Sequence, residues 1–370
     1  MSTVMRATDS AEFLGLVPAL AGFTPRDSIV LLPFHSGRTH GAMRMDLPDP
    51  AVDPEEFADA ALHVLLRVPD VEAVAVVVYT DDLAQQVPDG LLLPWVPLIE
   101  ALLGTVHETG VHIVEALCVT PDGWSDYLEH ESALRALSTI PAAPGLPGVG
   151  DVSGDQLAGA ALPPSDLAER ERVGRALCDL GEVLDRELRG APLTGHQNPQ
   201  ALAAAMLLDD VPAFAENLLD KPDDLQPFTC ATLLWCLERP AIRDAMLVQW
   251  ATDLGFGNRA LAAQLDFAGA QQTIPDAIGQ VFLGRGARPD PDRLGCALHI
   301  VRLAAARAPR HARPGALTAA AWLSWALGRS SHAGAYVDEA LRIEPEHRMA
   351  SLIGTMLSAA VLPEWSLRRG

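Results

Sequence analysis

The apolar positions near the start of the chain change from a helical to an alternating period. Asp9 and Glu12 have the spacing of an N-terminal capping box, and the apolar residues after them recur every three or four positions up to Gly22. Two runs of strand-forming residues follow, 28–34 and 39–47, on either side of a short polar turn. The pattern predicts a helix and then a β-hairpin with one buried face.

Helical and strand patterns then alternate. A predicted helix over residues 54–68 precedes the run 71–79, which is nearly all apolar and rich in β-branched side chains. Such a run is typical of a strand in the middle of a covered sheet. A helix over 96–109 and a strand over 111–119 follow. This order predicts a mixed sheet covered by helices, so we interpret residues 1–137 as an α/β domain.

The pattern changes again after this domain. Residues 138–164 are rich in proline and glycine and show no sustained period, which predicts a linker or a long surface loop. From 165 to 370 every clear apolar period is helical, which predicts an all-helical domain of helical hairpins. The segment from Gly255 to Ala260 has the small-residue spacing of a dinucleotide-binding loop. A predicted helix precedes it, however, where such a loop requires a strand. We therefore predict a turn between two helices there.

The end of the chain has the spacing of one degenerate, tetratricopeptide-like hairpin. Its small and helix-ending residues are Gly328, Ala333, Ala340 and Pro345. Since a single repeat cannot bury its own apolar face, we expect this hairpin to stack on earlier helices or on a partner. The candidates for packing or partner binding are Trp322, Trp325 and Tyr336.

The charge balance argues against several classes of protein. The 370 residues include 27 basic and 48 acidic side chains, a formal net charge of -21, so binding to nucleic acid or to an anionic membrane is disfavoured. Lys221 is the only lysine, and it lies in a proline-broken acidic loop. A P-loop protein, a protein kinase or a pyridoxal enzyme needs a lysine in a different context. We expect none of these three classes.

The cysteines and histidines do not form a metal or redox motif. The five cysteines are scattered without a C-x-x-C pair, which favours a reducing compartment. His107 and His112 are five positions apart with Gly110 between them, which does not fit a helical zinc motif. The N-terminal pattern is not that of a secretory signal, and no apolar run is long enough to span a membrane. We expect a cytoplasmic protein with no metal and no cofactor.

One candidate for a ligand site follows the long apolar run. Asp81 and Asp82 lie at its carboxyl end, which is where open α/β sheets place ligands. Acidic residues are also frequent in the turns that follow strands, where their side chains bond to the backbone of the turn and no ligand is involved. Both interpretations stay open.

A second polar group lies on the predicted hairpin. Some of its residues directly precede or begin the first strand, and the others share one face of the second strand. The group includes arginines, whose planar guanidinium donors are suited to bind a carboxylate or a phosphate. The alternative is a set of solvated ion pairs worth about 1 kcal/mol or less. The ligand-binding candidates from both groups are Arg26, Asp27, Ser28, Arg44, Asp46 and Asp81.

Four segments resemble a family of uncharacterised proteins. They are Gly22-Phe23-Thr24-Pro25-Arg26-Asp27-Ser28, Arg44-Met45-Asp46-Leu47-Pro48, Ile242-Arg243-Asp244-Ala245 and the stretch from Ala321 to Pro345. On these segments the chain, from about residue 9 to 365, resembles the actinobacterial proteins grouped as domain of unknown function 4192. The resemblance implies no established activity, cofactor or catalytic residue. Members often carry cysteines shortly after the tryptophan that Trp124 resembles, whereas the next cysteine here is Cys178, so a metal or redox role is not carried over.

Two functions of different classes remain. We expect a non-catalytic cytoplasmic interaction or scaffold protein, with a protein partner or self-association. The alternative is a protein that binds a small anionic ligand or a nucleotide, or a hydrolase, at the polar edge of the N-terminal sheet. No catalytic residue is assigned, and a pocket that collects the polar candidates would favour the second hypothesis.

Overall fold

The chain divides into two compact units, Met1–Ala158 and Gly159–Gly370. A computed structural model describes residues 6–39, 41–88, 90–129, 133–145, 151–191, 197–270, 273 and 275–367. The first unit contains a mixed β-sheet with helices, and the regular elements described in the second are helices. The predicted order of an α/β domain and an all-helical domain is therefore confirmed.

The first unit contains the predicted elements and some short strands that the pattern does not predict. They are α1 (Ser10–Ala21), β1 (Ser28–Phe34), β2 (Met43–Asp46), α2 (Pro54–Leu65), β3 (Ala73–Tyr79), β4 (Gln85–Val87), β5 (Gly90–Leu92), α3 (Val96–Glu108), β6 (His112–Thr120) and β7 (Gly123–Asp126). A 3-10 helix, Leu137–Thr139, comes next. β4 and β5 form a separate hairpin, so they do not extend the main sheet.

Helix α1 begins and ends where the sequence predicts. The Asp9 side chain caps its first turn by accepting a hydrogen bond from the Glu12 N–H at 2.8 Å. At the other end Gly22 adopts a left-handed conformation, with φ of 83°, and donates its N–H to the Pro18 carbonyl at 2.8 Å. This ending turns the chain out of the helix into the loop that leads to β1.

The main sheet has the strand order β2-β1-β3-β6-β7. β1 pairs antiparallel with both β2 and β3, so the predicted hairpin is present. β3 and β6 are parallel, which places their carboxyl ends at the same edge of the sheet. β2 is shorter than the predicted strand over 39–47. The Thr39 hydroxyl donates to the Gly41 carbonyl at 3.0 Å, a local bond that competes with strand pairing.

The sheet is covered on both faces. On one face Ile29, Val76 and Val78 pack with apolar residues of α2 and α3. On the other face Val30 and Val77 pack with apolar residues of α1. The five central residues of β3 are buried, as their continuous apolar pattern predicts.

The second unit is built from helices of different lengths. They are α4 (Leu167–Leu188), α5 (Pro199–Met206), α6 (Val211–Asp220), α7 (Pro227–Leu237), α8 (Pro240–Ala251), α9 (Leu254–Ala270), α10 (Asp276–Phe282), α11 (Pro291–Arg307), α12 (Pro314–Ala326), α13 (Ser330–Ile343), α14 (Arg348–Ser358) and α15 (Glu364–Leu367). Within the described ranges of both units, the helices are too short or too polar to cross a membrane.

The predicted turn from Gly255 to Ala260 is wrong, because these residues lie in α9. Asp253 accepts a hydrogen bond from the Phe256 N–H at 2.8 Å and so favours the start of a helix. Gly257 allows a close approach to the preceding helix, since a Cβ at this position would lie 2.2 Å from Oε1 of Gln249. The glycine spacing here reflects helix packing.

Candidate ligand-binding site

The first unit contains a cavity of about 350 Å³ at the edge of the sheet where β3 and β6 end. The parallel pairing of these strands brings Asp81 and Pro121, which follow them, to the same edge. The polar lining residues are Thr24, Arg26, Asp27, Thr80, Asp81 and Thr120. The carboxyl edge of parallel strands is the usual place for ligands in open α/β sheets.

Apolar side chains form the walls of this cavity. They come from α1, from the strand ends and from the segment after the 3-10 helix, and the main ones are Leu14, Pro18, Pro25, Tyr79, Val119 and Ile140. These positions also belong to, or adjoin, the core beneath α1. The cavity therefore combines apolar walls with a polar rim, which is the usual composition of a small-molecule pocket.

The structure connects the six candidate residues of the sheet edge by hydrogen bonds. A guanidinium nitrogen of Arg26 lies 3.3 Å from Oδ2 of Asp81, and the Asp81 N–H donates to Oδ1 of Asp27 at 3.1 Å. Ser28 receives a hydrogen bond from Nε of Arg44 at 2.7 Å. Arg44 also forms an ion pair with its neighbour on the strand, Asp46.

Only half of these six residues face the cavity. Arg26, Asp27 and Asp81 line it, whereas Ser28, Arg44 and Asp46 are not among its lining residues. Ser28 is fully buried, and its hydroxyl donates to the Arg26 carbonyl while it accepts from Arg44. Ser28, Arg44 and Asp46 thus stabilise the loop that carries the rim residues and do not themselves line the cavity.

Asp27 has an unusual backbone conformation. Its φ of 40° lies in the left-handed region, which residues other than glycine rarely adopt, although aspartate is among the more tolerant. The Asp27 carbonyl accepts a hydrogen bond from the Leu47 N–H at 3.1 Å, and its carboxylate accepts from Asp81. These contacts hold the strained residue in place, a feature that is common at binding sites.

A distant segment of the chain fixes the loop that carries Arg26. The Gln156 side chain accepts from the Arg26 N–H and donates to the Arg26 carbonyl, both at 3.1 Å. The Thr24 N–H donates to the Gly154 carbonyl at 2.9 Å, and the Thr24 hydroxyl donates to the Val152 carbonyl at 2.8 Å. The sequence gives no local signal for these contacts, because the two segments lie about 130 residues apart.

The hydroxyl groups near the strand ends differ in their hydrogen bonding. Thr80 accepts from the Trp95 indole N–H at 3.3 Å and also contacts Asp82, so Asp82 has an ordinary local role outside the cavity lining. Thr120 donates to Asp122 at 2.6 Å. Tyr79 lines the cavity, and its hydroxyl has no hydrogen-bond partner among the described residues. Burial raises the pKa of Tyr79, so it stays a neutral donor at physiological pH.

The charges at the rim are accessible to solvent. The side chains of Arg26 and Asp81 are 59% and 65% exposed, and an ion pair at such exposure contributes at most about 1 kcal/mol. Asp27 is also exposed and forms no ion pair with another described residue. The rim therefore offers one guanidinium group and two carboxylates to a ligand.

The helical unit places its three candidate residues in its interior. Trp322 and Trp325 are fully buried and Tyr336 is 3% exposed. The Trp322 indole donates to the Phe282 carbonyl at 3.0 Å, and the Trp325 indole donates to the Val361 carbonyl at 2.7 Å. These contacts place the side chains in the core, so they do not form an accessible surface.

Comparison with known proteins identifies a family but no function. The family model described as "Domain of unknown function (DUF4192)" matches residues 11–364. Neither the curated proteins nor the solved structures contain a match to the chain. In the described ranges, no group of three or more His, Cys, Asp or Glu side chains is placed to hold a metal ion.

Proposed function

The chain belongs to this family of domains of unknown function, and we propose that its first unit binds a small organic molecule in the cavity at the carboxyl edge of the sheet. The observation that carries the proposal is the meeting of Arg26, Asp27 and Asp81 at one apolar-walled cavity. Three side chains from two separate segments converge there, and a strained backbone positions one of them.

The size of the cavity supports a ligand of low molecular weight. Its volume of about 350 Å³ lies near the lower end of the roughly 300–1,000 Å³ that is typical of small-molecule pockets. The apolar walls favour a ligand with an apolar body, because burial of that body contributes about 25 cal/mol per Å² of surface removed from water. The rim residues would fix its polar end.

The contacts of Ser28 argue against a role as the nucleophile of a hydrolase and so favour a site that only binds its ligand. A serine nucleophile needs an exposed hydroxyl and an adjacent base. The Ser28 hydroxyl is buried, and its partners are the Arg26 carbonyl and the Arg44 guanidinium. We therefore assign Ser28 a structural role in holding the rim.

A thermal-shift screen of the full chain tests this proposal. The panel contains free amino acids, nucleosides, sugars and small organic acids. A ligand at one hundred times its Kd stabilises the folded state by about 2.7 kcal/mol. We expect at least one compound to raise the Tm of the wild-type chain.

Variants of one strand decide whether such a shift arises in the cavity. Val119 lines the cavity and Val114 does not, although both lie on β6. We expect Val119→Phe to abolish the shift and Val114→Phe, which changes a 48% exposed side chain, to retain it. Ile140→Phe fills the same cavity from another segment and serves if V119F fails to fold. A screen without any stabilising compound, or a shift that all three variants retain, would refute the proposal.

The scaffold hypothesis stays a prediction about the second unit. It receives no support from Trp322, Trp325 and Tyr336, because these side chains are buried. A partner would have to bind elsewhere on the helices. Light scattering of the purified chain tests self-association directly.

A further inference from the structure

We infer that the ligand is a zwitterion with an apolar body, of the class of free α-amino acids with apolar side chains. This inference rests on the proposed function and names its ligand class. The inference follows from the part of a ligand that Arg26, Asp27 and the cavity walls can each bind.

Arg26 is the group that would bind the ligand carboxylate. One of its nitrogens contacts Asp81 at 3.3 Å, which leaves most of the five donors of a guanidinium group available. Gln156 holds the Arg26 backbone from both its N–H and its carbonyl, so the base of the side chain is fixed. A carboxylate can bind the planar guanidinium through two parallel hydrogen bonds without displacing Asp81.

Asp27 is the group that would bind the ligand ammonium. Its Oδ1 accepts the Asp81 N–H at 3.1 Å, which leaves Oδ2 to accept from the ligand. Arg26 is paired with Asp81, so Asp27 is the rim carboxylate without an ion partner among the described residues. The left-handed backbone of Asp27 and the Leu47 hydrogen bond to its carbonyl limit its movement.

The walls would bind the apolar side chain of the ligand. Leu14 and Pro18 of α1 lie on one side, and Val119 and Ile140 also line the cavity. The threonine hydroxyls at the strand ends already have protein partners, which leaves the Tyr79 hydroxyl as one polar group in otherwise apolar walls. A branched aliphatic or aromatic side chain matches this environment.

Other ligand classes use only part of this site. A nucleotide brings several negative charges to a rim that has one guanidinium and two carboxylates. A simple carboxylic acid leaves Asp27 without a cation, and a simple amine leaves the Arg26 donors unused. A zwitterion gives Arg26 a carboxylate and Asp27 an ammonium group while Asp81 keeps its contact with Arg26, and it leaves the net charge of the site unchanged.

Calorimetric titration of the full chain with matched compounds tests this inference. Leucine is compared with 3-methylbutylamine, which lacks its carboxylate, and with 4-methylpentanoic acid, which lacks its ammonium group. Valine, isoleucine, methionine and phenylalanine are titrated in parallel. We expect at least one amino acid to bind. For leucine, the amine and the acid should each bind at least about tenfold more weakly, since each of them loses a charged hydrogen bond.

Rim variants assign the two charged contacts. Asp27→Asn should weaken binding of the amino acid while it leaves the weak affinity of the acid unchanged. Arg26→Gln should also weaken binding of the amino acid, while it leaves the weak affinity of the amine unchanged. Asp82→Asn is the matched control, because Asp82 is exposed, contacts Thr80 and does not line the cavity. The affinity of this control variant for the amino acid should equal that of the wild type.

The outcomes separate this inference from the proposed function. An amine or an acid that binds as tightly as leucine would overturn the zwitterion assignment. If nucleosides or sugars bind in a manner that V119F abolishes, and no amino acid binds, the proposed function stands and this inference is wrong. If no compound of any class binds, both are wrong.

Discussion

Ser324 shows how a single buried polar atom affects the helical core. Its side chain is fully buried in α12, and its hydroxyl has no hydrogen-bond partner among the described residues. Thr318 lies on the same helix and is equally buried, but its hydroxyl donates to the Pro314 carbonyl at 2.6 Å. The two residues differ in whether the cost of burying a hydroxyl is offset.

We predict that Ser324→Ala stabilises the protein. The change removes an unsatisfied buried hydroxyl and introduces a better helix former, so the free energy of unfolding should rise by about 1 kcal/mol. Thr318→Val is the control and should lower it by about 1 kcal/mol, since a satisfied hydrogen bond is lost. Urea unfolding measures both. A loss of stability in S324A similar to that in T318V would contradict the account of Ser324.

His347 is expected to make stability depend on pH. It caps α14 by accepting the Ala350 N–H at Nδ1, 3.3 Å away, and this requires an unprotonated Nδ1. Burial, together with the Arg243 guanidinium, lowers the pKa of His347 below its ordinary value of 6.5. As the pH falls the unfolded chain therefore binds a proton first. The contribution of His347 is present above pH 6.5 and is lost as the pH falls through its folded pKa.

His347→Asn tests this sign. Asparagine keeps a capping oxygen but does not titrate. The fall in Tm between about pH 7 and about pH 5 should be smaller in this variant than in the wild type, because the histidine proton no longer favours unfolding. His107→Asn, at an exposed site on α3, controls for the loss of a histidine. Equal pH dependence in H347N and the wild type would contradict the prediction.

At the scale of elements, capping residues and apolar patterns in the sequence correctly predict the helices and strands that nearby residues determine. The Asp9 cap and the Gly22 ending place α1, and the β-branched run places β3. The predictions fail where another hydrogen bond or close helix packing decides the local conformation. The strand over 39–47 is shortened by the bond from Thr39 to Gly41, and α9 includes glycines that the pattern interprets as a turn.

Two helical glycines give a test of close helix packing. A Cβ on Gly315 in α12 would lie 2.6 Å from the Leu237 carbonyl oxygen, whereas one on Gly334 in α13 would meet nothing within 4 Å. We predict that Gly315→Ala lowers the free energy of unfolding by about 1–3 kcal/mol through overpacking. Gly334→Ala should raise it by about 0.5–1 kcal/mol through helix propensity. Thermal unfolding measures both, and the same sign for the two variants would contradict the packing account.

At the scale of the whole molecule, the rim of the site is predictable from the sequence and its walls are not. Arg26, Asp27 and Asp81 stand out because they are polar residues at the ends of predicted strands. From the sequence Leu14 looks like an ordinary core position and Ile140 falls in the predicted linker or loop, although both pack in the core beneath α1. Their part in a cavity depends on how α1 and a segment far along the chain pack against the sheet.

The site and the wider chain have the same sign of charge. The rim has one positive and two negative groups, and the whole chain has a formal net charge of -21. Both repel polyanions, although screening by salt limits the effect of distant charges to about 8–10 Å at physiological ionic strength. The local rim charges therefore matter most for the choice of ligand.

A crystal structure of the full chain, grown with the compound that raises its Tm most, tests the central claim most directly. We predict density for that compound in the cavity at the ends of β3 and β6. The apolar part should contact Leu14 and Val119, and the polar part should contact Arg26 and Asp27. Density for the compound at another place in the chain, with the cavity empty, would contradict the claim.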